Sequence, residues 1–172
     1  MFIYLVSFGE IENRLILATA KNIKETFGFD VRISSIPIPL KKAYNPERGQ
    51  YKAGEVLKYL SDVRFPELLK LVALLSFDIY EDGFNFVFGL SQLGGRIALV
   101  SLLRLRSYNE LLFFERTFKE VNHELGHTFG LGHCKNKKCV MNFSLSVEDV
   151  DAKGKEFCQD CKKALCSFFE KP

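Results

Sequence analysis

Apolar and polar positions along the first hundred residues follow patterns that predict strands and helices in alternation. Segments with the apolar runs or two-residue alternation of strands are 2–8, 30–36, 71–80, 84–89 and 96–104. Apolar residues recur at helical spacing over 11–27 and 51–64. Prolines and a glycine make 37–50 a predicted polar loop. The pattern predicts an α/β (α+β) fold built on a twisted mixed sheet.

One of these strands is short and aromatic. The stretch "FNFVFG" (84–89) is bounded by Gly83 and Gly89, which suits a strand at the edge of a sheet. An edge strand has free backbone groups, so we expect this segment to pair with an extended peptide.

The longest predicted helix lies between Ser107 and Gly130. Ser107 and Glu110, three residues apart, predict a capping box at its start, and Gly130 predicts its end. An apolar stripe at helical spacing comprises Phe114, Phe118, Val121 and Leu125. That stripe is expected to face the core, so the opposite face would present His123 and His127 outward.

Composition adds little beyond the class of protein. The 172 residues suffice for one domain with a sizeable core, and 47% hydrophobic with 26% charged residues is ordinary for a globular chain. The 24 basic residues exceed the 21 acidic ones by only three, too few to indicate nucleic acid or an anionic membrane as partner. The lysines of 135–138 are interpreted as a solvated loop.

Membrane and secretion signals are not evident. The N-terminal "MFIYLVSF" has no basic residues before it and no small-residue cleavage site after it, so it predicts a buried strand. The apolar stretch 68–80 is short and is interrupted by Lys70 and Asp78. Five cysteines without a secretion signal favour a reducing compartment, and we expect a cytoplasmic protein.

The stretch "HELGHTFGLGHC" (123–134) contains all three histidines of the chain. His123 and His127 lie one helical turn apart, so both rings can reach one ion, and Gly130 allows the turn that brings His133 back as a third ligand. Glu124 is rotated off that axis and can act on water. Three imidazoles leave the fourth position of a tetrahedral zinc open, as in catalytic sites.

The alternative is a chance helix whose histidines make ordinary hydrogen bonds. A bare HExxH is common enough to permit that interpretation, but the extended HExxHxxGxxH is far more demanding. It therefore favours a metal site.

The cysteines indicate a second metal. Cys134 with Cys139, and Cys158 with Cys161, form two pairs close to zinc-finger spacing, and four sulfur ligands make a closed structural site. The residues after Gly130 form a unit so small that it would need such a metal. Buried or disulfide-bonded cysteines are the alternative. Cys166 is predicted to be buried on an amphipathic C-terminal helix rather than to be a ligand.

On these residues the chain resembles the metzincin metallopeptidases, which share the elongated histidine motif. Cys134, Cys139, Met141 and the pair in "CQDC" make it similar to the archaemetzincins in particular, over 123–161 and, less specifically, in "FVFG" and "GGRIALVSLLRL". The resemblance implies a metzincin-like zincin fold, the three histidines as ligands of catalytic zinc, Glu124 as general base and Met141 beneath the metal.

One position departs from better-known metzincins. Some of them carry a tyrosine shortly after this methionine that assists at the metal, whereas Asn142 and Phe143 stand here. The residue that stabilises the transition state beside zinc is therefore unassigned.

Together these features predict a zinc metallopeptidase with two zinc ions per chain, one catalytic and one structural. We expect one domain over 1–172, with an N-terminal lobe (1–130) that holds the active-site helix and a C-terminal lobe (131–172) that the four-cysteine zinc stabilises. Its partner would be a peptide or protein substrate, with no nucleic acid and no membrane, and the chain is expected to be a monomer. Neither the natural substrate nor the choice between aminopeptidase and endopeptidase action follows from the sequence.

Two other classes of protein fit parts of the pattern. A zinc-stabilised module that binds peptides without cleaving them would need no carboxylate at Glu124. A nucleic-acid-binding zinc ribbon would need more positive charge and more than one four-cysteine cluster.

Overall fold

Helices and strands alternate through the first hundred residues, as the apolar pattern predicts. The computed structural model describes residues 1–37 and 39–169. Its strands are β1 Phe2–Phe8, β2 Val31–Ser34, β3 Tyr44–Asn45, β4 Gln50–Lys52, β5 Leu68–Leu75, β6 Ile79–Tyr80, β7 Gly89–Ser91 and β8 Ile97–Ser101. Its α-helices are α1 Asn13–Phe27, α2 Ala53–Ser61, α3 Glu110–Thr128, α4 Val147–Ala152 and α5 Gln159–Phe169. Short 3-10 turns occupy Leu40–Ala43 and Leu103–Leu105.

The main sheet has five strands in the order β2-β1-β5-β8-β7. The first four are parallel, and β7 runs antiparallel to β8 at one edge. The central strand β5, "LLKLVALL", has an almost continuous apolar sequence because both of its faces are covered. Strands β3, β4 and β6 form a separate small sheet.

Two apolar clusters cover the two faces of this sheet. Ile3 and Leu5 of β1 point to one cluster, which includes α1, α3 and residues after Gly130. Tyr4 and Val6 point to the other, which includes α2. The C-terminal residues therefore share a core with the N-terminal strands.

Most predicted elements are confirmed, with shifted ends. Strand 2–8 matches β1, and the helices predicted over 11–27 and 51–64 contain α1 and α2. The strand predicted over 71–80 is wrong in extent, because the chain leaves the main sheet at Ser76 and β6 joins the smaller sheet. Within the part of the chain that the structure describes, no helix is both long and apolar enough to cross a membrane.

The edge strand predicted at 84–89 is wrong. Residues 84–88 are irregular, and two of their phenylalanines pack together instead: the Phe86 and Phe88 rings lie 5.2 Å apart, and Phe88 is buried. The guanidinium of Arg104 also lies over the Phe86 ring, 4.1 Å from its centroid. The edge strand is β7, which begins where the predicted one ends.

The capping box predicted at Ser107 and Glu110 is also wrong. Helix α3 begins at Glu110, and its cap is Asn109, whose side chain accepts a hydrogen bond from the backbone N–H of Leu112 at 3.2 Å. Glu110 pairs instead with Arg14 of α1 at 3.0 Å. At the other end the helix stops at Thr128, and Gly130 has the positive φ of 89° that the turn requires.

A buried lysine fixes the C-terminal end of α3. Lys70 of β5 is 3% exposed, and its ammonium donates hydrogen bonds to the carbonyl oxygens of Gly95 at 2.6 Å and Thr128 at 2.7 Å. A cation at this end complements the helix dipole. Burial nevertheless lowers the pKa of Lys70 from 10.5 to about 8, with a smaller contribution from Arg96.

This shift has a consequence for stability against pH. Between pH 8 and 10.5 the unfolded chain keeps a proton at Lys70 that the folded chain has lost, so the free energy of unfolding rises with pH. Relative to Lys70→Met, which cannot titrate, wild type should gain about 2 to 3 kcal/mol between pH 7.5 and 10. Urea unfolding of both proteins at the two pH values measures the difference. A constant difference would contradict the lowered pKa.

Candidate metal centres and active-site cleft

Helix α3 brings His123 and His127 together. The residues lie one turn apart, and their Nε2 atoms are 3.1 Å apart. Zinc–nitrogen bonds of about 2.0–2.1 Å in a tetrahedron separate ligand nitrogens by about 3.3 Å. The observed separation therefore fits two ligands of one zinc ion.

Two backbone carbonyls fix the orientation of these rings. The Nδ1 atom of His123 lies 2.8 Å from the carbonyl oxygen of Val140, and Nδ1 of His127 lies 2.7 Å from that of Leu131. A carbonyl only accepts, so Nδ1 carries the proton in both neutral rings and both Nε2 atoms present lone pairs. Two lone pairs face each other across 3.1 Å, an arrangement that a shared cation stabilises.

His133 completes the set through the turn at Gly130. Its ring centroid lies 4.9 Å from that of His127 and 5.4 Å from that of His123. One ring nitrogen from each histidine lies within 4.8 Å of the others. His133 is exposed whereas His123 is buried, so the third histidine approaches from the solvent side.

The three imidazoles are poor proton acceptors. Burial lowers the pKa of His123 well below its ordinary 6.5, and it lowers the pKa values of His127 and His133 as well. The positive charge of Lys153 acts in the same direction on all three. Neutral imidazole is the form that binds metal.

Glu124 lies beside the histidines and is only 5% exposed. Ser91 Oγ of β7 donates a hydrogen bond to its Oε2 atom at 2.5 Å. Burial raises the pKa of Glu124 to about 8, while the bond from Ser91 acts against that rise. A divalent cation on the histidines would lower the pKa again, because positive charge favours the carboxylate.

The prediction that α3 presents its histidines outward is wrong. His123 is 4% exposed, because the residues after Gly130 fold back over that side of the helix and supply the carbonyl of Val140. Met141 is fully buried in the same segment, where its Sδ lies so close to Gly126 that a Cβ there would be 2.5 Å away. The helix thus has protein on both faces, and only a cleft opens on the histidines.

This cleft has a volume of about 680 Å³ and lies between β7 and the segment after Met141. His123, Glu124, His127 and His133 line it. Its walls are mostly apolar, with contributions from Phe84, Phe86, Phe88, Leu93, Phe143 and Leu145. The ring of Phe143 lies 4.8 Å from that of His133.

A second cluster contains Cys134, Cys139, Cys158 and Cys161, whose sulfur atoms all lie within 4.8 Å of one another. The Sγ atoms of Cys134 and Cys158 are 3.8 Å apart, the separation expected for zinc–sulfur bonds of about 2.3 Å in a tetrahedron. All four are free thiols, which does not fit the disulfide alternative.

Backbone amides point at these sulfur atoms. The N–H of Cys158 donates to Cys139 Sγ at 3.3 Å, and that of Asn136 donates to Cys134 Sγ at 3.4 Å. The backbone N–H of Cys161 is the main reason that the pKa of Cys158 falls to about 7. Amide donors favour thiolate, the form of cysteine that binds metal, whereas burial raises the pKa values of Cys139 and Cys161.

Cys166 is not part of this cluster. Helix α5 contains it as predicted, but the prediction that it is buried is wrong, because the side chain is exposed. Cys161 and Leu165 occupy the buried face of α5 instead.

The sequence also gave no sign of a buried ion pair beside the cleft. Glu120 of α3, one turn before Glu124, pairs with Lys153 at 2.9 Å, and the two side chains are 4% and 1% exposed. Lys153 also donates to the carbonyl oxygen of Asn142 at 3.2 Å. Both residues occur in polar stretches where charged side chains are ordinary, so no local pattern distinguishes them.

Comparisons with known proteins agree with this architecture. The model of peptidase family M54 matches residues 9–167. An archaemetzincin from Sulfolobus acidocaldarius is 42% identical over 170 residues, covering 95% of each chain. The crystal structure of archaemetzincin from Methanopyrus kandleri has a TM-score of 0.90 at 36% identity, covering 99% of this chain and 96% of that one. A second archaemetzincin structure, from Archaeoglobus fulgidus and complexed with malonate, has a TM-score of 0.84 at 36% identity, covering 95% and 99%.

The fold is that of a zinc metallopeptidase family, which confirms the predicted α/β architecture and class of enzyme. More specifically, the chain belongs to peptidase family M54, the archaemetzincins.

Proposed function

We propose that this chain hydrolyses peptide bonds at a zinc ion held by His123, His127 and His133, with Glu124 as general base. This proposal rests on one observation: the Nε2 atoms of His123 and His127 lie 3.1 Å apart with their lone pairs facing each other. A backbone carbonyl that accepts from Nδ1 fixes each ring in this orientation. That geometry is unfavourable for two neutral imidazoles alone, and a zinc ion bound by both nitrogens would relieve the repulsion between their lone pairs.

When bound, zinc would polarise the scissile carbonyl and bring the pKa of a water molecule towards about 7. Glu124 then accepts a proton from the attacking water and passes it to the leaving amine. Its position next to His123 on α3, in the wall of the same cleft as the three histidines, supports this role.

We propose β7 as the substrate-binding edge, in place of the incorrectly predicted 84–89. Gly89–Ser91 is the last strand of the main sheet and lines the cleft. An extended peptide would add to it through backbone hydrogen bonds. The apolar walls would favour peptides with large apolar side chains beside the cleaved bond.

The four cysteines would hold a second, structural zinc. In this proposal 1–172 is one metallopeptidase domain, and 131–172 is a small lobe that the zinc stabilises, because so short a segment has little core of its own. Thiols stay reduced in the cytoplasm, which we propose as the location of this protein. We propose that the enzyme works as a monomer.

A peptide library tests the activity itself. Cleavage that chelator abolishes and zinc restores is the expected result, and the positions cut distinguish aminopeptidase from endopeptidase action. Binding of peptides without any cleavage, in zinc-loaded protein, would favour the alternative of a peptide-binding module.

The role of Glu124 is tested by Glu124→Gln. The rate of peptide hydrolysis should fall by at least about 100-fold, because the amide of glutamine cannot accept the proton of the attacking water. The zinc content should stay at the wild-type value. Glu25→Gln, at an exposed position on α1, is the matched control and should keep full activity. Most of the wild-type rate in Glu124→Gln would show that another group is the base.

The two metal sites are tested by their stoichiometry. Elemental analysis should find two zinc ions in wild type and in Cys166→Ser, whose side chain is exposed, but one in Cys158→Ser. The Cys158→Ser protein should also lose protease resistance after Gly130 and lose activity, because Cys134 is adjacent to His133. A zinc lost from Cys166→Ser but kept in Cys158→Ser would overturn the ligand assignment.

A further inference from the structure

Strand β7 contacts the proposed general base directly. Gly89 and Ser91, two residues apart on the strand, both face Glu124, while Leu90 between them packs into the cluster on the other face of the sheet. Two features of this contact set the position of the carboxylate: the hydrogen bond that Ser91 donates, and the space that Gly89 leaves because it has no side chain.

The donor is Ser91. Its hydroxyl lies 2.5 Å from Glu124 Oε2, and within residues 1–37 and 39–169 no other group donates a hydrogen bond to this carboxylate. A carboxylate accepts up to about four hydrogen bonds, and burying one with a single donor leaves that bond as its main restraint. Glu124 Oε1 is thereby left to accept a proton.

The gap is at Gly89. A Cβ at this position would lie 2.6 Å from both Cγ and Oε1 of Glu124, and 2.7 Å from the carbonyl oxygen of Leu99. Gly89 does not have a positive φ, so its backbone conformation suits any residue. Glycine is required here for space alone, because the glutamate side chain and the Leu99 carbonyl oxygen together leave no room for a Cβ.

The strand itself is held against the catalytic helix. Gly89, Leu90 and Ser91 pair with Val100, Leu99 and Ala98 of β8. The turn that follows is tied to α3, since the N–H of Gly94 donates to the carbonyl oxygen of His127 at 2.9 Å. These bonds fix the position of Ser91 relative to the histidines of α3 that we propose as zinc ligands.

We propose that Ser91 is a positioning residue that orients Glu124 for proton transfer, and that Gly89 provides the space for it. The proposal rests on the proposed function of Glu124. It assigns to the edge strand a role in catalysis in addition to substrate binding.

The first test compares Ser91→Ala with Ser91→Thr in zinc-replete protein. Loss of a hydrogen bond to a charged group should lower kcat by about 10- to 100-fold with KM within about twofold, and threonine, which keeps the hydroxyl, should restore most of kcat. Ser101→Ala is the matched control. The hydroxyl of Ser101 on β8 donates a hydrogen bond to the Phe77 carbonyl oxygen and does not contact Glu124, so this variant also loses one hydrogen bond but at another place. Its kcat should stay unchanged.

A second readout does not depend on turnover. Acetohydroxamic acid chelates metal through two oxygen atoms and shares its proton with a neighbouring carboxylate, so its affinity reports where Glu124 lies. Calorimetry should show binding weakened at least about fivefold in Ser91→Ala and in Gly89→Ala, and unchanged in Ser101→Ala.

The outcomes separate the two proposals. Wild-type kcat and hydroxamate affinity in Ser91→Ala, with Glu124→Gln inactive, would overturn the positioning role and leave the base in place. A Ser91→Thr protein as slow as Ser91→Ala would overturn it as well. An active Glu124→Gln would instead remove the base on which the positioning role rests.

Discussion

The bonds between two imidazoles and two backbone carbonyls are the constraint on which the rest of the site depends. Each histidine of α3 needs an acceptor for its Nδ1 proton if Nε2 is to face a metal, and the helix cannot supply one because its own carbonyls are engaged. Leu131 and Val140 supply these acceptors. The chain after Gly130 must therefore return across the helix, and in returning it buries His123, packs Met141 on Gly126 and delivers His133.

Much of the fold followed from local patterns. The apolar run of β1 and the helical spacing of α1 gave the right elements, because burial of one side of a strand or helix leaves its period in the sequence. The spacing of the histidine motif was equally informative about the local structure. Its spacing places two side chains on one helical turn and a turn-forming Gly130 before the third, and the structure brings these residues together as the spacing requires.

The predictions were wrong where contacts between residues far apart in the chain determine the local structure. Asn109 rather than Ser107 caps α3, and Glu110 pairs with Arg14, almost a hundred residues earlier in the chain. The aromatic segment before β7 reads as a strand but packs its rings against one another and under Arg104. Ser91, Lys153 and Lys70 act across the fold, on Glu124, Glu120 and the end of α3. The members of each pair are far apart in the sequence, so patterns among neighbouring residues cannot predict these contacts.

The adjacency of His133 and Cys134 limits how chains of this kind can change in length. Consecutive Cα atoms are about 3.8 Å apart, so the two residues are joined by a rigid link with no slack. An insertion between them would displace one of the two clusters. Insertions and deletions among related sequences should therefore fall elsewhere, for example in the exposed turn 46–49 between β3 and β4. The two clusters thus form one unit of fixed spacing, and length can change in turns that contact neither of them.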